Sequence, residues 1–317
     1  MMFSQTIRRI STKPRAIELA FDKIACKNNT NKTPLVLIHG LFGSKTSNRS
    51  MARSLDTLFG NSRDIYLIDL RNHGESATAR PHDYESMSLD VFKFLQAHAL
   101  HRSILVGHSM GGKVVMNMIL QQQMQRKMAC EITMGVCIEN APAVTMPNSK
   151  FVTYIDALQS AISSGGGGET SLQTRDSVHR HLSEKLPGEQ ESIIQFLMTL
   201  LRRLRRNSNS NSDGSGGGGA VFESKVPLQL LRESIVAGEV SGFPLVPSSD
   251  TPPCGTPMLF IRGEASNYLC DEYIVSISSF FANFEVQTVA NSGHFVNSER
   301  PVECARLIHE YIDRRED

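Results

Sequence analysis

No stretch of this 317-residue chain approaches the roughly 20 consecutive apolar residues that a membrane-spanning helix requires, so no transmembrane segment is expected. Charge of one sign is missing too. The 33 Lys and Arg stand against 32 Asp and Glu, a net +1 at pH 7, far from the basic field with which a nucleic-acid-binding surface meets phosphates. Nucleic acid is therefore not expected as a partner. The six cysteines (Cys26, Cys130, Cys137, Cys254, Cys270, Cys304) are scattered and form no C-x-x-C, which argues for reduced, mostly packed thiols over a disulfide framework or a zinc site. Nothing in the residue pattern calls for a metal or cofactor. Acids are absent from the first 17 residues, where Arg8, Arg9, Lys13 and Arg15 alternate with Met2, Phe3, Ile7 and Ile10. A basic, hydroxyl-bearing, acid-free and amphipathic start predicts a mitochondrial presequence over residues 1–15, with a frayed basic tail as the plainer reading. No secretory apolar region is visible. With 40% hydrophobic and 21% charged residues, the chain is an ordinary soluble globular one, large enough for one sizeable core plus an insertion.

What is present is organised around Gly107-His108-Ser109-Met110-Gly111. Ser103 to Val106 before it is short, apolar and β-branched, and reads as a buried parallel strand. Gly112 to Leu120 after it is apolar and long enough for a buried helix. Strand, pinched turn and helix is the context that a G-x-S-x-G nucleophile elbow requires. Gly107, Gly111 and Gly112 keep the turn free of side chains that would collide with it. The serine hydroxyl is thereby raised above the sheet, and the helix start offers the Met110 N–H to a developing oxyanion.

The other loops point to the same region. Pro34 to Ile38 predicts a buried strand ending in His39-Gly40-Leu41-Phe42-Gly43-Ser44, a glycine-bearing loop that supplies a second oxyanion donor from the Leu41 main chain, with help from Phe42. Asp64 to Leu70 predicts the next strand, and there Asp69 and Arg71 are expected to brace one another and the loop backbone near the strand end, while His73-Gly74 turns the chain. Helical spacing covers Tyr84 to Leu100, Thr133 to Ile138 reads as a strand, and another is expected from Ile17 to Ile24. Strands alternating with helices imply a mostly parallel sheet with helices on both faces and ligands at the strands' carboxyl ends.

From residue 143 to 253 the pattern changes to helices (Lys150 to Ile162, Ser192 to Leu204, Leu228 to Val236) separated by a run of four glycines and by an Asn/Ser/Gly-rich run at 207–219. Those runs cannot bury enough apolar surface to order themselves, so flexible loops are expected there. Leu201-Arg202-Arg203-Leu204-Arg205-Arg206 is expected to be a solvated basic helix face, with attraction of an anion or a cofactor phosphate as the alternative. The core resumes with strands at Thr256 to Gly263 and Glu285 to Val289 and a helix at Val302 to Arg314. The division that results is a core from 16 to 142, an inserted helical cap over 143–253, and the rest of the core from 254 to 317.

His294 lies after a late strand in Ser292-Gly293-His294-Phe295 and follows the serine in chain order, which makes it the candidate base for Ser109. The carboxylate is the missing piece. Gly263-Glu264-Ala265-Ser266 puts a serine where a Gly-x-x-Asp turn would place the acid. Glu139 ends an earlier strand from which a carboxylate can reach the same histidine, while Glu264 and Asp271 stay open as alternatives. The acid need only hold the imidazole's tautomer and stabilise the imidazolium.

His39 to Ser44, Asp69 to Ser76, Gly107 to Lys113, Ile138-Glu139-Asn140-Ala141-Pro142 and Gly293 to Asn297 occur in the order found in one family. On these motifs the chain resembles the fungal branch of mitochondrial α/β hydrolases that includes ethanol acetyltransferases and their esterase relatives. The resemblance covers nearly the whole chain. It implies an α/β-hydrolase fold, a mitochondrial location, acyl-ester or acyl-thioester substrates, and a triad acid after the earlier strand, where the family usually has Asp and this chain has Glu139. The expected function is a serine hydrolase acting through an acyl-enzyme. On the same residues an alcohol acyltransferase, taking its acyl group from a thioester such as acetyl-CoA and passing it to ethanol, is the alternative. A non-catalytic binding protein on the same fold is the reading of another class.

Overall fold

Leu35-Val36-Leu37-Ile38 is apolar on both of its alternating faces and wholly buried, as a strand in the middle of a two-sided sheet must be. The computed structural model of the chain describes residues 15–28, 30–124, 129–144, 148–164, 174–204, 221–240, 242–248 and 250–316. In chain order it contains β1 (Phe21–Ile24), β2 (Leu35–Ile38), α1 (Arg49–Leu58), β3 (Ile65–Ile68), α2 (Tyr84–Ala97), β4 (Arg102–His108), α3 (Met110–Met124) and β5 (Glu131–Ile138). Then follow α4 (Asn148–Ser163), α5 (Arg175–Lys185), α6 (Glu191–Thr199), β6 (Leu201–Leu204), β7 (Val221–Ser224) and α7 (Leu228–Val236). The chain closes with β8 (Met258–Gly263), α8 (Ile274–Phe280), β9 (Phe284–Val289), α9 (Val296–Glu299) and α10 (Pro301–Glu316). The strand order in the main seven-stranded sheet is β1-β3-β2-β4-β5-β8-β9, with β1 antiparallel to β3 and every other pair parallel.

The two-residue period of the strands sorts side chains into two cores. Leu35, Leu37, Ile65, Leu67, Val106 and Ile138 meet α1 and α10 through Leu55, Ile308 and Tyr311. Val36, Ile38, Ile68, Leu105 and Phe260 meet α2 and α3 through Val91, Leu95, Val115 and Ile119. Each fully buried side chain of this kind contributes about 1.5–3 kcal/mol. Asp83 caps α2 by accepting the Ser86 N–H at 2.7 Å.

Between β5 and β8, α4 to α7 form a third apolar cluster with Ile155, Leu158, Leu182, Leu197, Leu231 and Ile235 at its centre. Phe42, from the loop after β2, is buried in that cluster, so the loop is anchored to the inserted segment. Two sequence expectations need correction here. The helix expected to run from Ser192 to Leu204 stops at Thr199, and Leu201–Leu204 is a strand paired antiparallel with Val221–Ser224, Arg202 opposite Glu223. Leu201 is buried while Arg202 and Arg203 are exposed, so the described part of the basic stretch, residues 201–204, is a ribbon edge and not a helix face; Arg205 and Arg206 lie outside the described residues. The expectations for residues 1–14, for the four glycines at 165–168 and for the run at 207–219 fall outside the described residues.

Candidate active site

Ser109 sits between the last residue of β4 and the first of α3 with a φ of +53°, a left-handed backbone that a non-glycine residue adopts only when its surroundings enforce it. The enforcement is visible. Ser109 N–H donates to Ile138 O at 2.7 Å, and the Ser109 carbonyl accepts from Gly112 N–H at 2.9 Å. A Cβ on Gly107 would lie 2.2 Å from Gly111 O, and one on Gly111 would lie 2.6 Å from Ile38 O. The chain can pinch this tightly only without side chains at those two positions.

His294 Nε2 lies 3.0 Å from Ser109 Oγ, and His294 Nδ1 lies 3.2 Å from Glu139 Oε2. Serine, imidazole and carboxylate thus form one hydrogen-bonded line, as a proton-relaying nucleophile needs. Ser109 is 7% exposed, so little of the residue at the elbow faces solvent. The loop carrying His294 is held by Gly293 N–H, which donates to Glu299 Oε2 at 2.6 Å, and by His108 Nε2, 2.8 Å from His294 O. The Tyr268 ring stacks on the imidazole with centroids 3.5 Å apart. Burial pushes His294 down to about 3, with the Lys150 charge acting the same way, so the imidazole is neutral at rest and free to accept a proton.

Glu139 is fully buried and, like Ser109, holds a left-handed backbone, with φ +59°. Its Oε1 accepts Gly263 N–H at 2.6 Å, and its Oε2 accepts the Ser266 hydroxyl as well as facing His294. Ser266, at the address of the usual acid, therefore donates to a carboxylate that comes from the neighbouring strand. Burial raises the Glu139 pKa, and the Ser266 and Gly263 donors oppose that rise. The two alternatives are engaged elsewhere: Asp271 Oδ1 pairs with Arg262 at 2.5 Å, and Glu264 Oε2 accepts Asn291 N–H at 3.0 Å. Neither is hydrogen-bonded to His294.

Leu41 follows the buried Gly40, whose absent Cβ would lie 3.1 Å from the Ser109 Cβ, so this loop runs alongside the serine. The Leu41 and Met110 N–H groups are spent on no protein acceptor among the described residues. Phe42 N–H, expected to help, is spent: it donates to His73 Nε2 at 3.1 Å. Asp69 and Arg71 brace the loop backbone, as expected, but not one another. Asp69 accepts the Lys45 and Glu75 N–H groups at 2.6 and 2.9 Å and ties the two loops together. Arg71 makes a two-pronged, fully buried pair with Asp90 at 2.6 and 2.7 Å. His39 Nε2 accepts Leu70 N–H at 3.0 Å, which makes it a loop organiser.

A cleft of about 830 Å³ opens between the loop after β2 and the inserted segment, with Leu41, Phe42, Phe196, Leu200, Val226 and Phe295 as its apolar lining. Its walls reach Leu41, His108 and Phe295 and stop short of Ser109 itself. Lys45, Arg202 and Lys225 are offset there by Asp69, Glu75 and Glu299, so the cleft is close to electroneutral. Sequence reading missed His108, Tyr268 and Phe196. Only His108 carried a signal, as the residue beside the elbow serine. Among the described residues no group of three or more His, Cys, Asp or Glu is placed to hold a metal, and no helix is long and apolar enough to cross a membrane.

A family profile described as alpha/beta hydrolase fold matches residues 33–301. The chain is 37% identical to a probable alcohol acetyltransferase of Saccharomyces cerevisiae, over 99% of this chain and 89% of the other. It is 29% identical to the sn-1-specific diacylglycerol lipase ABHD11 of Xenopus tropicalis, over 94% and 83%. Among solved structures, a marine microorganism esterase superposes with a TM-score of 0.73 at 25% identity, covering 93% of this chain and 100% of that one.

Proposed function

The chain belongs to the alpha/beta hydrolase family, and on that premise we propose that it is a serine hydrolase that cleaves acyl esters or thioesters through an acyl-enzyme on Ser109. The observation that carries this reading is the unbroken line from Ser109 Oγ through His294 to Glu139, at 3.0 and 3.2 Å. His294 takes the hydroxyl proton as the oxygen attacks the acyl carbon, and returns it to the leaving alcohol or thiol. Glu139 keeps the Nδ1–H tautomer and stabilises the imidazolium. The Leu41 and Met110 N–H groups hold the oxyanion. Water then releases the acid. No cofactor enters these steps, and an acyl thioester such as acetyl-CoA enters them as the substrate. The acyl donor docks in the cleft beside Leu41 and Phe295, under a cap to which α4 to α7 contribute. The test is Ser109→Ala, which should lose both ester hydrolysis and labelling by a fluorophosphonate probe. Undiminished labelling overturns the assignment.

A second reading is favoured by the 37% identity to a probable alcohol acetyltransferase. In it ethanol or another alcohol intercepts the acyl-enzyme in place of water. Supplying an acetyl thioester with and without ethanol, then measuring ethyl ester against acetate, separates the two. The acid-free basic start supports a mitochondrial location. Fusing Met1 to Arg15 to a reporter tests it, and a cytosolic reporter contradicts it.

A further inference from the structure

Two histidines exchange hydrogen bonds between the loop after β2 and the loop after β3. His39 of the first accepts Leu70 N–H of the second at 3.0 Å, and His73 of the second accepts Phe42 N–H of the first at 3.1 Å. Their rings lie 5.1 Å apart, and both are buried. The second bond has the greater consequence. Gly43 N–H donates to Gly40 O at 3.0 Å, which closes a four-residue turn with Leu41 and Phe42 at its centre. Phe42 has φ +64°, the left-handed conformation that the third position of a type II turn requires and that glycine or asparagine ordinarily supplies. A phenylalanine there must be held. Its ring is held by the apolar cluster of the inserted segment, and its N–H is held by His73.

We propose that His73 is a positioning residue of the oxyanion hole: by accepting Phe42 N–H it fixes the turn that presents Leu41 N–H to the acyl oxygen. This rests on the reading of Ser109 as nucleophile and Leu41 as oxyanion donor. Acceptance requires a bare Nε2, so His73 carries its proton on Nδ1, 3.0 Å from Arg71 O. Arg71 is in turn immobilised by its paired bonds to Asp90, so the tautomer is set from beneath. A relaxed turn, with Phe42 in the right-handed region, would swing the Leu41–Phe42 peptide and aim the Leu41 carbonyl at the same Nε2 lone pair. The neutral ring forbids that arrangement. His73 touches no substrate; it acts through the backbone one peptide away from the donor.

The experiment compares His73→Phe, which keeps a ring and removes the acceptor, with His73→Gln, whose side-chain oxygen can reach the position of Nε2. His73→Phe is expected to lower kcat about 10- to 100-fold, part of the loss seen when an oxyanion donor is removed outright, with KM within about twofold because ground-state binding does not use the hole. Inhibition by a trifluoromethyl ketone, whose adduct places an oxyanion in the hole, should weaken by the same factor, and His73→Gln should recover most of both. Wild-type kcat and ketone affinity in His73→Phe, alongside an inactive Ser109→Ala, overturn this inference and leave the reaction standing. Full hydrolysis by Ser109→Ala would fail the reaction itself. Should His73→Phe not fold, long-range proton–nitrogen NMR of the wild-type protein decides. His73 protonated on Nδ1 with Nε2 bare supports the inference, and His73 protonated on Nε2 refutes it.

Discussion

Replacing Glu139 by glutamine keeps the shape of the buried side chain and removes one acceptor from a place where three donors converge. Gly263 N–H at 2.6 Å, the Ser266 hydroxyl and His294 Nδ1 at 3.2 Å all address this carboxylate. A glutamine has one oxygen. If that oxygen stays with Gly263, the amide NH₂ faces Nδ1, and His294 can relieve the clash only by moving its proton to Nε2. In that tautomer the imidazole donates to Ser109 and can no longer accept from it. If the oxygen turns to His294, the NH₂ opposes Gly263 N–H instead, and a buried donor left unsatisfied costs about 1–3 kcal/mol. Either way the imidazolium loses its counter-charge. A fall in kcat of roughly 10²–10⁴ is expected, by analogy with the loss of about 10⁴ when a triad acid is neutralised. Hydrolysis of p-nitrophenyl acetate gives kcat, and thermal unfolding confirms that the variant is folded. Glu139→Asp, the residue usual in the resembling family, should retain much of the activity. Asp271→Asn and Glu264→Gln should be mild, since their carboxylates pair with Arg262 and Asn291 N–H. Near-full turnover in Glu139→Gln with a loss in either of the other two would refute the placement.

Burial pushes His39 down to about 4, and His73 and His108 down to about 3, so each binds a proton more readily in the unfolded chain than in the folded one. Their contribution is fully present above pH 6.5 and is lost as the pH falls toward their folded values, at about 1.4 kcal/mol per group and pH unit. Denaturant unfolding should therefore show much lower stability at pH 5.5 than at pH 7.5, and equal stability at both would contradict the buried neutral rings. Phe42→Ala removes a ring shared by the oxyanion loop and the inserted segment and should cost about 3–5 kcal/mol, read from the same unfolding curves. A loss under 1 kcal/mol would mean that the anchoring is incidental.

The site's address was legible because each of its parts stands at a strand's carboxyl end within a short local motif. Gly107 to Gly111, Glu139 after β5 and His294 after β9 could be found without knowing any long-range contact, and the structure brings their side chains within hydrogen-bond reach. What escaped depends on partners distant in sequence. Leu201 and Leu204 stand at helical spacing, and nothing local reveals that residues 201–204 pair with 221–224 across an intervening polar run. Asp69 and Arg71 are two residues apart, yet their partners are Lys45 and Asp90, supplied by other elements. Ser266 reads as the loss of an acid until its hydroxyl is seen to donate to the acid from the next strand. Phe42 looks like a free oxyanion donor until His73 is found on it.

The most direct measurement of the central claim is the mass of the protein itself, quenched in acid during turnover of p-nitrophenyl acetate. The expected result is a species heavier by one acetyl group, with the group mapped to the peptide that contains Ser109, absent from Ser109→Ala, and shortened in lifetime when ethanol is added if the acyl group passes to alcohols. Steady turnover with no acylated species in either wild-type protein or Glu139→Gln, or an acetyl group mapped to another residue and kept in Ser109→Ala, would contradict an acyl-enzyme on this serine.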